Sequence, residues 1–96
     1  MFVIVTYDVN MSSVSGIKRL RNVARSCMNY GKRVQNSVFE CVLNESQFIK
    51  LREALAEIID QENDSIRFYL LGSNWEHKVV TLGKNKGINF SGELII

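Results

Sequence analysis

The sequence has a single histidine, His77, and contains no glycine-rich phosphate loop, CxxC pair or HExxH motif. A serine or cysteine nucleophile activated by an imidazole would therefore depend on His77 alone. Because His77 lies in a polar turn at residues 73–78, we interpret it as a solvated loop residue rather than a general base. The sequence thus carries no motif for zinc-protease or P-loop nucleotide chemistry.

Long apolar runs are also absent. None approaches the roughly 20 residues that span a bilayer, and the N-terminus lacks the charged-then-apolar pattern of a signal peptide. The only cysteines, Cys27 and Cys41, fall in periodic segments, so we interpret them as reduced core residues rather than a disulfide. With 96 residues, 46% hydrophobic and 23% charged, the chain is expected to form one domain, residues 1–96, in the cytoplasm.

Charge is unevenly distributed along the chain, although the net charge is only +2. Residues 1–39 carry six bases and one acid, whereas residues 40–64 carry seven acids and two bases. Such separation lets a nearly neutral protein present one basic face. The N-terminal bases suit contact with a phosphate backbone, and the alternative is a solvated helix face. They are Lys18, Arg19, Arg21, Arg25, Lys32 and Arg33.

The run Phe2–Asp8 predicts the central strand of a sheet. Six of its seven residues are apolar, β-branched or aromatic, without polar alternation, which is typical of a strand covered on both faces. It ends on one carboxylate, Asp8, just before a polar turn. A single carboxylate holds Mg²⁺ weakly, but two copies facing each other across a dimer axis could share one or two ions. The alternative is that Asp8 caps the turn into the next helix.

The next segments predict a helix and a bent extended stretch. Ser12 or Ser13 can cap a helix whose apolar residues recur at steps of three and four, and Gly31 is expected to end it. Residues 32–43 are predicted to be extended, and Asn36-Ser37 either divides them into two strands or leaves one long bent strand. Aromatic residues in the predicted strands are interpreted as core rather than as base-stacking platforms; they are Tyr7, Phe39 and Tyr69.

Asn44 and Gln47 have the spacing of a capping box before a second amphipathic helix. Residues 65–71 are the next strand, closed by Gly72. The order strand, helix, strand, strand, helix, strand predicts an α+β, ferredoxin-like fold with both helices on one face.

The segment 73–96 exceeds what that fold needs. Residues 79–82 predict a short additional strand, 83–87 a basic loop, and 93–96 an apolar end. An apolar terminus and an uncovered sheet face both favour a homodimer with this extension at its interface.

Three groups of residues resemble the second CRISPR-associated protein family, the small partner of the CRISPR integrase. They are Tyr7-Asp8-Val9, the basic pair in Arg19-Leu20-Arg21, and the run Arg33–Glu40. Length, strand order and the C-terminal segment also fit, and the tail, with Trp75 and the run at 83–87, looks like the type I-C branch.

The resemblance implies a ferredoxin-like homodimer in which the fifth strand pairs with the partner's sheet. It implies an endonuclease dependent on Mg²⁺ or Mn²⁺, with the metal bound between the two protomers. Asp8 matches the family's metal ligand and catalytic aspartate, and Tyr7 its functional tyrosine. The residues expected to contact nucleic acid are Arg19, Arg21, Arg25, Arg33, Ser37 and Phe39. Helix register leaves open which of Arg19 and Arg21 matches the family arginine.

The family also has an architectural role, in which the dimer bridges integrase dimers and supports the DNA captured as a new spacer. Phosphate contacts serve that role without catalysis. The sequence therefore leaves two hypotheses open, a metal-dependent endonuclease and a DNA-binding scaffold. No base-reading motif is evident, which favours double-stranded DNA over RNA as the nucleic acid.

Overall fold

The computed structural model describes residues 1–72 and 74–83. Six regular elements are followed by a short 3₁₀ turn, Trp75–His77. They are β1 (Phe2–Asp8), α1 (Val14–Met28), β2 (Gly31–Gln35), β3 (Val38–Val42), α2 (Glu45–Ile58) and β4 (Ser65–Gly72). The strands form one antiparallel sheet in the order β2-β3-β1-β4. The ferredoxin-like α+β prediction is confirmed.

β1 is a central strand, as predicted. Val5 lies opposite Phe39 of β3 and Phe68 of β4. The odd-numbered side chains of β1 pack with both helices in one apolar cluster; its β1 and helical members are Val3, Val5, Tyr7, Leu20, Val23, Ala24, Cys27, Leu51 and Leu55. Successive strand residues face opposite ways, so Asp8 lies on the sheet face that neither helix covers. Among the described residues, the two helices therefore cover one face of β1, not both.

The helix starts are encoded by their caps. Ser13, rather than Ser12, caps α1, since its hydroxyl accepts a hydrogen bond from the amide of Gly16 at 3.1 Å. Asn44 and Gln47 form the predicted capping box of α2.

The predicted end of α1 is wrong. The helix ends at Met28 with Asn29 as its cap, and Gly31 instead opens β2. A Cβ at Gly31 would lie 1.8 Å from the carbonyl oxygen of Glu40. This glycine is therefore needed for the close approach of β2 to β3 and not as a helix stop.

The fifth strand predicted at residues 79–82 is not formed in the single chain, where this stretch has no regular structure. Val80 and Leu82 are exposed. A strand needs a neighbour for its backbone groups, and within the described part of the chain β4 is the last strand, with no further strand beside it. Pairing with a partner's sheet stays a prediction. The predictions for 84–96, including most of the basic loop and the apolar end, lie outside the described residues.

Both cysteines are free and buried, as predicted. Across residues 1–72 and 74–83, no helix has the length and apolar character to cross a membrane.

Candidate functional site

Asp8 ends the central strand with an exposed side chain. Among the described residues its carboxylate has no hydrogen bond or ion pair. The turn into α1 is closed by other groups, because Asn10 accepts from Ser12 and Ser13 caps the helix. The alternative interpretation of Asp8 as a cap is therefore wrong, and its oxygens remain available to a ligand.

Two clefts meet at Asp8. One has a volume of about 380 Å³ and is lined by hydroxyl groups and a cation; its residues are Thr6, Tyr7, Asp8, Ser37, Ser65, Arg67 and Tyr69. The other, of about 390 Å³, opens towards the start of α1 and is lined in part by Leu20, Arg33 and Asn36. Tyr7, Asp8 and Ser37 line both clefts, so the structure brings together these three predicted site residues.

A buried polar network lies directly behind Asp8. The Tyr7 hydroxyl donates to Asp64 Oδ2 at 2.5 Å. Arg19 donates from Nε to Oδ2 at 2.7 Å and from Nη2 to Oδ1 at 3.1 Å. The amide of Asp60 donates to Oδ2 at 3.0 Å. Nothing of the Asp64 side chain is exposed, so all its hydrogen bonds are internal.

The network controls the ionisation of its members. Burial raises the pKa of Asp64, but the hydrogen bonds from Arg19, Tyr7 and Asp60 outweigh it and lower the pKa to about 2. Burial, followed by the hydrogen bond to Asp64, raises the pKa of Tyr7 to about 12. At neutral pH the network therefore holds a carboxylate, a neutral phenol and a guanidinium.

These contacts change the roles expected of Tyr7 and Arg19. The Tyr7 ring is buried on the helix side of the sheet, opposite to Asp8, and its hydroxyl is occupied by Asp64. Arg19 donates from Nε and Nη2 to the Asp64 carboxylate and from Nη1 to Ser15 Oγ at 3.3 Å, so its charge is already paired and all three guanidinium nitrogens have partners. Of the Arg19 and Arg21 pair, Arg21 is the one with an exposed side chain.

Arg33 and Phe39 form a second local unit. Arg33 donates from Nε and Nη2 to the carbonyl of Asn36, which holds the β2–β3 turn, and its guanidinium carbon lies 5.7 Å from the centre of the Phe39 ring. Phe39 is 0% exposed. A fully buried ring cannot contact nucleic acid, so direct contact through Phe39 does not fit this fold. The core interpretation holds for Tyr7 and Phe39 but not for Tyr69, which is 45% exposed.

Arg21 and Arg25 are exposed one turn apart on α1. In residues 1–72 and 74–83, neither guanidinium has a hydrogen bond or an ion pair. Both line a third cleft, of about 580 Å³, together with Arg33. Because Arg33 and Leu20 also line the second cleft beside Asp8, one surface runs from Asp8 along α1 to these arginines.

Divalent metal ligands are sparse among the described residues. No group of three histidine, cysteine, aspartate or glutamate side chains is present in the part of the chain that the structure describes. Asp8 offers one carboxylate, with Ser37 and Ser65 in the same cleft. Mg²⁺ takes six oxygens and is often held by one or two carboxylates, with water and phosphate completing its shell. The Asp8 carboxylate and the two serine hydroxyl groups fit one half of a Mg²⁺ or Mn²⁺ site, which needs a second carboxylate from elsewhere.

Asp64 is the residue that sequence reasoning missed. It lies in the turn before β4 and contacts Arg19 and Tyr7, which are 45 and 57 positions away. No local pattern encodes such a contact. His77 is exposed, as predicted.

The depressed pKa of Asp64 predicts an acid-dependent loss of stability. Its folded pKa of about 2 lies below the ordinary 3.8, so the stabilising charge is present above about pH 4 and is lost as the pH falls through the folded value. We expect the free energy of unfolding, measured with urea between pH 5 and pH 2.5, to fall more steeply in the wild type than in Asp64→Asn. Parallel curves for the two proteins would contradict the assignment.

Comparisons with known proteins extend over the whole chain. A family model described as CRISPR associated protein Cas2 matches residues 1–79. The CRISPR-associated endonuclease Cas2 of Halalkalibacterium halodurans is 50% identical over 95 residues, which cover 99% of each chain. The CRISPR-associated endoribonuclease Cas2 of Chlorobaculum tepidum is 48% identical over 96 residues, which cover 100% of each. The crystal structure of Streptococcus pyogenes Cas2 has a TM-score of 0.79 and 57% identity, covering 86% of this chain and 100% of that one.

Proposed function

This chain belongs to the CRISPR associated protein Cas2 family, which confirms the resemblance of its sequence, and from that premise we propose that it is a metal-dependent nuclease acting at Asp8. One relative is named an endonuclease and another an endoribonuclease. Both names describe hydrolysis of phosphodiester bonds. The observation that carries the proposal is the Asp8 carboxylate, exposed and without a partner in the described structure, at the junction of two clefts.

In this proposal Asp8 holds Mg²⁺ or Mn²⁺ together with Asp8 of a second protomer. Support comes from the placement of Asp8 on the sheet face that neither helix covers, where Tyr69 is also half exposed. When bound, the ion would neutralise charge on the phosphate and lower the pKa of a bound water. Asp8 orients that ion, while hydroxyl groups of Ser37 and Ser65 in the same cleft are placed to donate to phosphate oxygens.

The nucleic acid is proposed to follow the surface from Asp8 along α1. Arg21 and Arg25 have free guanidinium groups, and Arg33 retains unused donors between them and Asp8. Contacts of this kind read the phosphate backbone and not the base sequence. We favour double-stranded DNA over single-stranded RNA, because a two-fold dimer presents matching surfaces to two antiparallel strands.

A comparison of substrates and metals tests the proposal. Labelled duplex DNA and single-stranded RNA of the same sequence would be incubated with the purified protein in Mg²⁺, Mn²⁺ or EDTA. We expect cleavage of the duplex with either metal and none in EDTA. Cleavage that persists in EDTA would contradict the metal-dependent mechanism, and cleavage of RNA alone would contradict the choice of DNA.

The scaffold function is a second candidate, favoured by Arg21 and Arg25, which lie on α1 away from Asp8 and need no catalysis to bind DNA. In it the dimer bridges the CRISPR integrase and holds captured DNA. Both functions share the basic surface and differ only in their need for Asp8.

A further inference from the structure

The buried carboxylate of Asp64 joins three separate elements at one point. It accepts hydrogen bonds from Tyr7 on β1, from Arg19 on α1 and from the amide of Asp60 in the loop before β4. The Asp64 side chain is 0% exposed and that of Arg19 is 19% exposed. Hydrogen bonds to a buried charge are strong and directional, so they fix the relative positions of their donors.

The network involves the residues that precede Asp8 on β1 and its cross-strand partner on β4. Tyr7 directly precedes Asp8 on β1, and Ser65, which directly follows Asp64, is the residue paired with Asp8 across β1 and β4. The Asp64 carboxylate is therefore connected to the backbone of Asp8 through Tyr7 on β1, and to the backbone paired with Asp8 through Ser65 on β4. Asp8 projects to the opposite face, so Asp64 reaches its carboxylate only through this backbone.

We infer that Asp64 is the positioning residue of the Asp8 site, and that Tyr7 and Arg19 act on that site through Asp64 rather than by touching substrate. The inference rests on the proposed function, because Asp8 is taken as the metal ligand. It predicts that the three residues of the network belong to one functional unit. It also predicts that their loss weakens metal binding even when the protein remains folded.

A purely structural role has a different signature. A buried ion pair often adds little net stability compared with apolar packing, and in some proteins it instead restricts the chain to one arrangement. If Asp64 served stability alone, its loss would lower the melting temperature and leave metal affinity and kcat of the folded protein unchanged. If it positions Asp8, metal affinity or kcat falls while KM for the nucleic acid, set by the α1 arginines, stays close to the wild-type value.

The test compares Asp64→Asn with Glu62→Gln, which removes one acid from the exposed part of the same loop. Mn²⁺ affinity is measured by electron paramagnetic resonance on folded protein, and kcat and KM are measured on duplex DNA. We expect Asp64→Asn to lower Mn²⁺ affinity or kcat by about 10-fold to 100-fold, the range found at other metal sites when residues that orient a ligand are lost. Glu62→Gln is expected to behave as the wild type.

Tyr7→Phe keeps the test decisive if Asp64→Asn does not fold, because it removes one hydrogen bond and leaves the ion pair. We expect Tyr7→Phe to lower Mn²⁺ affinity or kcat, as Asp64→Asn does. Folded variants with wild-type Mn²⁺ affinity and kcat would overturn the positioning role. If Asp8→Asn were inactive at the same time, the proposed function would stand without it, whereas an active Asp8→Asn would refute the proposed function itself.

Discussion

Replacing Asp8 by asparagine is expected to reduce the cleavage rate by more than about 100-fold. Loss of a residue that only hydrogen-bonds to a metal ligand costs about 10-fold to 100-fold, and Asp8 is proposed to bind the metal itself. The amide cannot supply the anionic oxygen that Mg²⁺ or Mn²⁺ requires, and within the described structure no other acid lies with Asp8 in either cleft to replace it. Cleavage would be measured on labelled duplex DNA at saturating Mg²⁺, with Glu62→Gln as the matched loss of one exposed acid.

The same substitution should leave the fold intact. Asp8 is exposed and its carboxylate makes no hydrogen bond or ion pair with the residues described, so the free energy of unfolding is expected to change by less than about 0.5 kcal/mol. Urea unfolding and the oligomeric state would be measured beside the cleavage rate. A stable Asp8→Asn protein that cleaves at the wild-type rate would remove Asp8 from the mechanism.

Reversing the charge of both Arg21 and Arg25 to glutamate is expected to weaken binding to duplex DNA by roughly 10-fold or more at about 0.1 M salt. Each phosphate contact on B-DNA contributes about 0.9 to the slope of log affinity against log salt concentration, so the slope should fall by about 2. The two side chains are exposed and unpaired among residues 1–72 and 74–83, so their reversal breaks no ion pair seen in the structure.

The control reverses two cations on the other helix, Lys50 and Arg52. Both are exposed and lie in the acidic segment 40–64, away from the clefts beside Asp8. It produces the same change in net charge, so a general electrostatic effect would appear equally in both double variants. Equal salt slopes for the two variants would argue against α1 as the contact surface.

Asp8→Asn and the double reversal of Arg21 and Arg25 together also distinguish the nuclease function from the scaffold function. If spacer acquisition needs only the scaffold, Asp8→Asn should support it and the Arg21 and Arg25 reversals should not. If it needs cleavage, both should fail. A spacer-acquisition assay with the integrase and each variant distinguishes these outcomes.

Much of the fold follows from local signals. Apolar spacing of 3 and 4 predicted both helices, the capping box at Asn44 fixed the start of α2, and the continuous apolar run predicted β1 as central. Gly31 was misinterpreted because a helix-ending glycine and a close-packed strand glycine look alike in sequence. The strand predicted at residues 79–82 is not formed in the single chain, because a strand requires a neighbour, and its pairing with a partner's sheet stays a prediction.

The candidate site was predictable only in part. Asp8, Arg21, Arg25 and Ser37 are placed where nucleic acid or metal can reach them. Tyr7 and Arg19 were recognised through the family, but their contact with Asp64 depends on tertiary packing between segments far apart in sequence. The resemblance therefore implies direct chemistry for Tyr7, whereas the fold connects its hydroxyl to Asp64.

The central claim is that Asp8 is half of a metal site, and a crystal structure with Mn²⁺ tests it most directly. We predict an anomalous Mn²⁺ peak with an Asp8 carboxylate oxygen about 2.1 Å away, the distance at which Mg²⁺ binds oxygen, and Asp8 of a second protomer on its other side. A crystal grown under conditions in which the protein cleaves DNA, with saturating Mn²⁺ and no peak at either Asp8, would contradict the account.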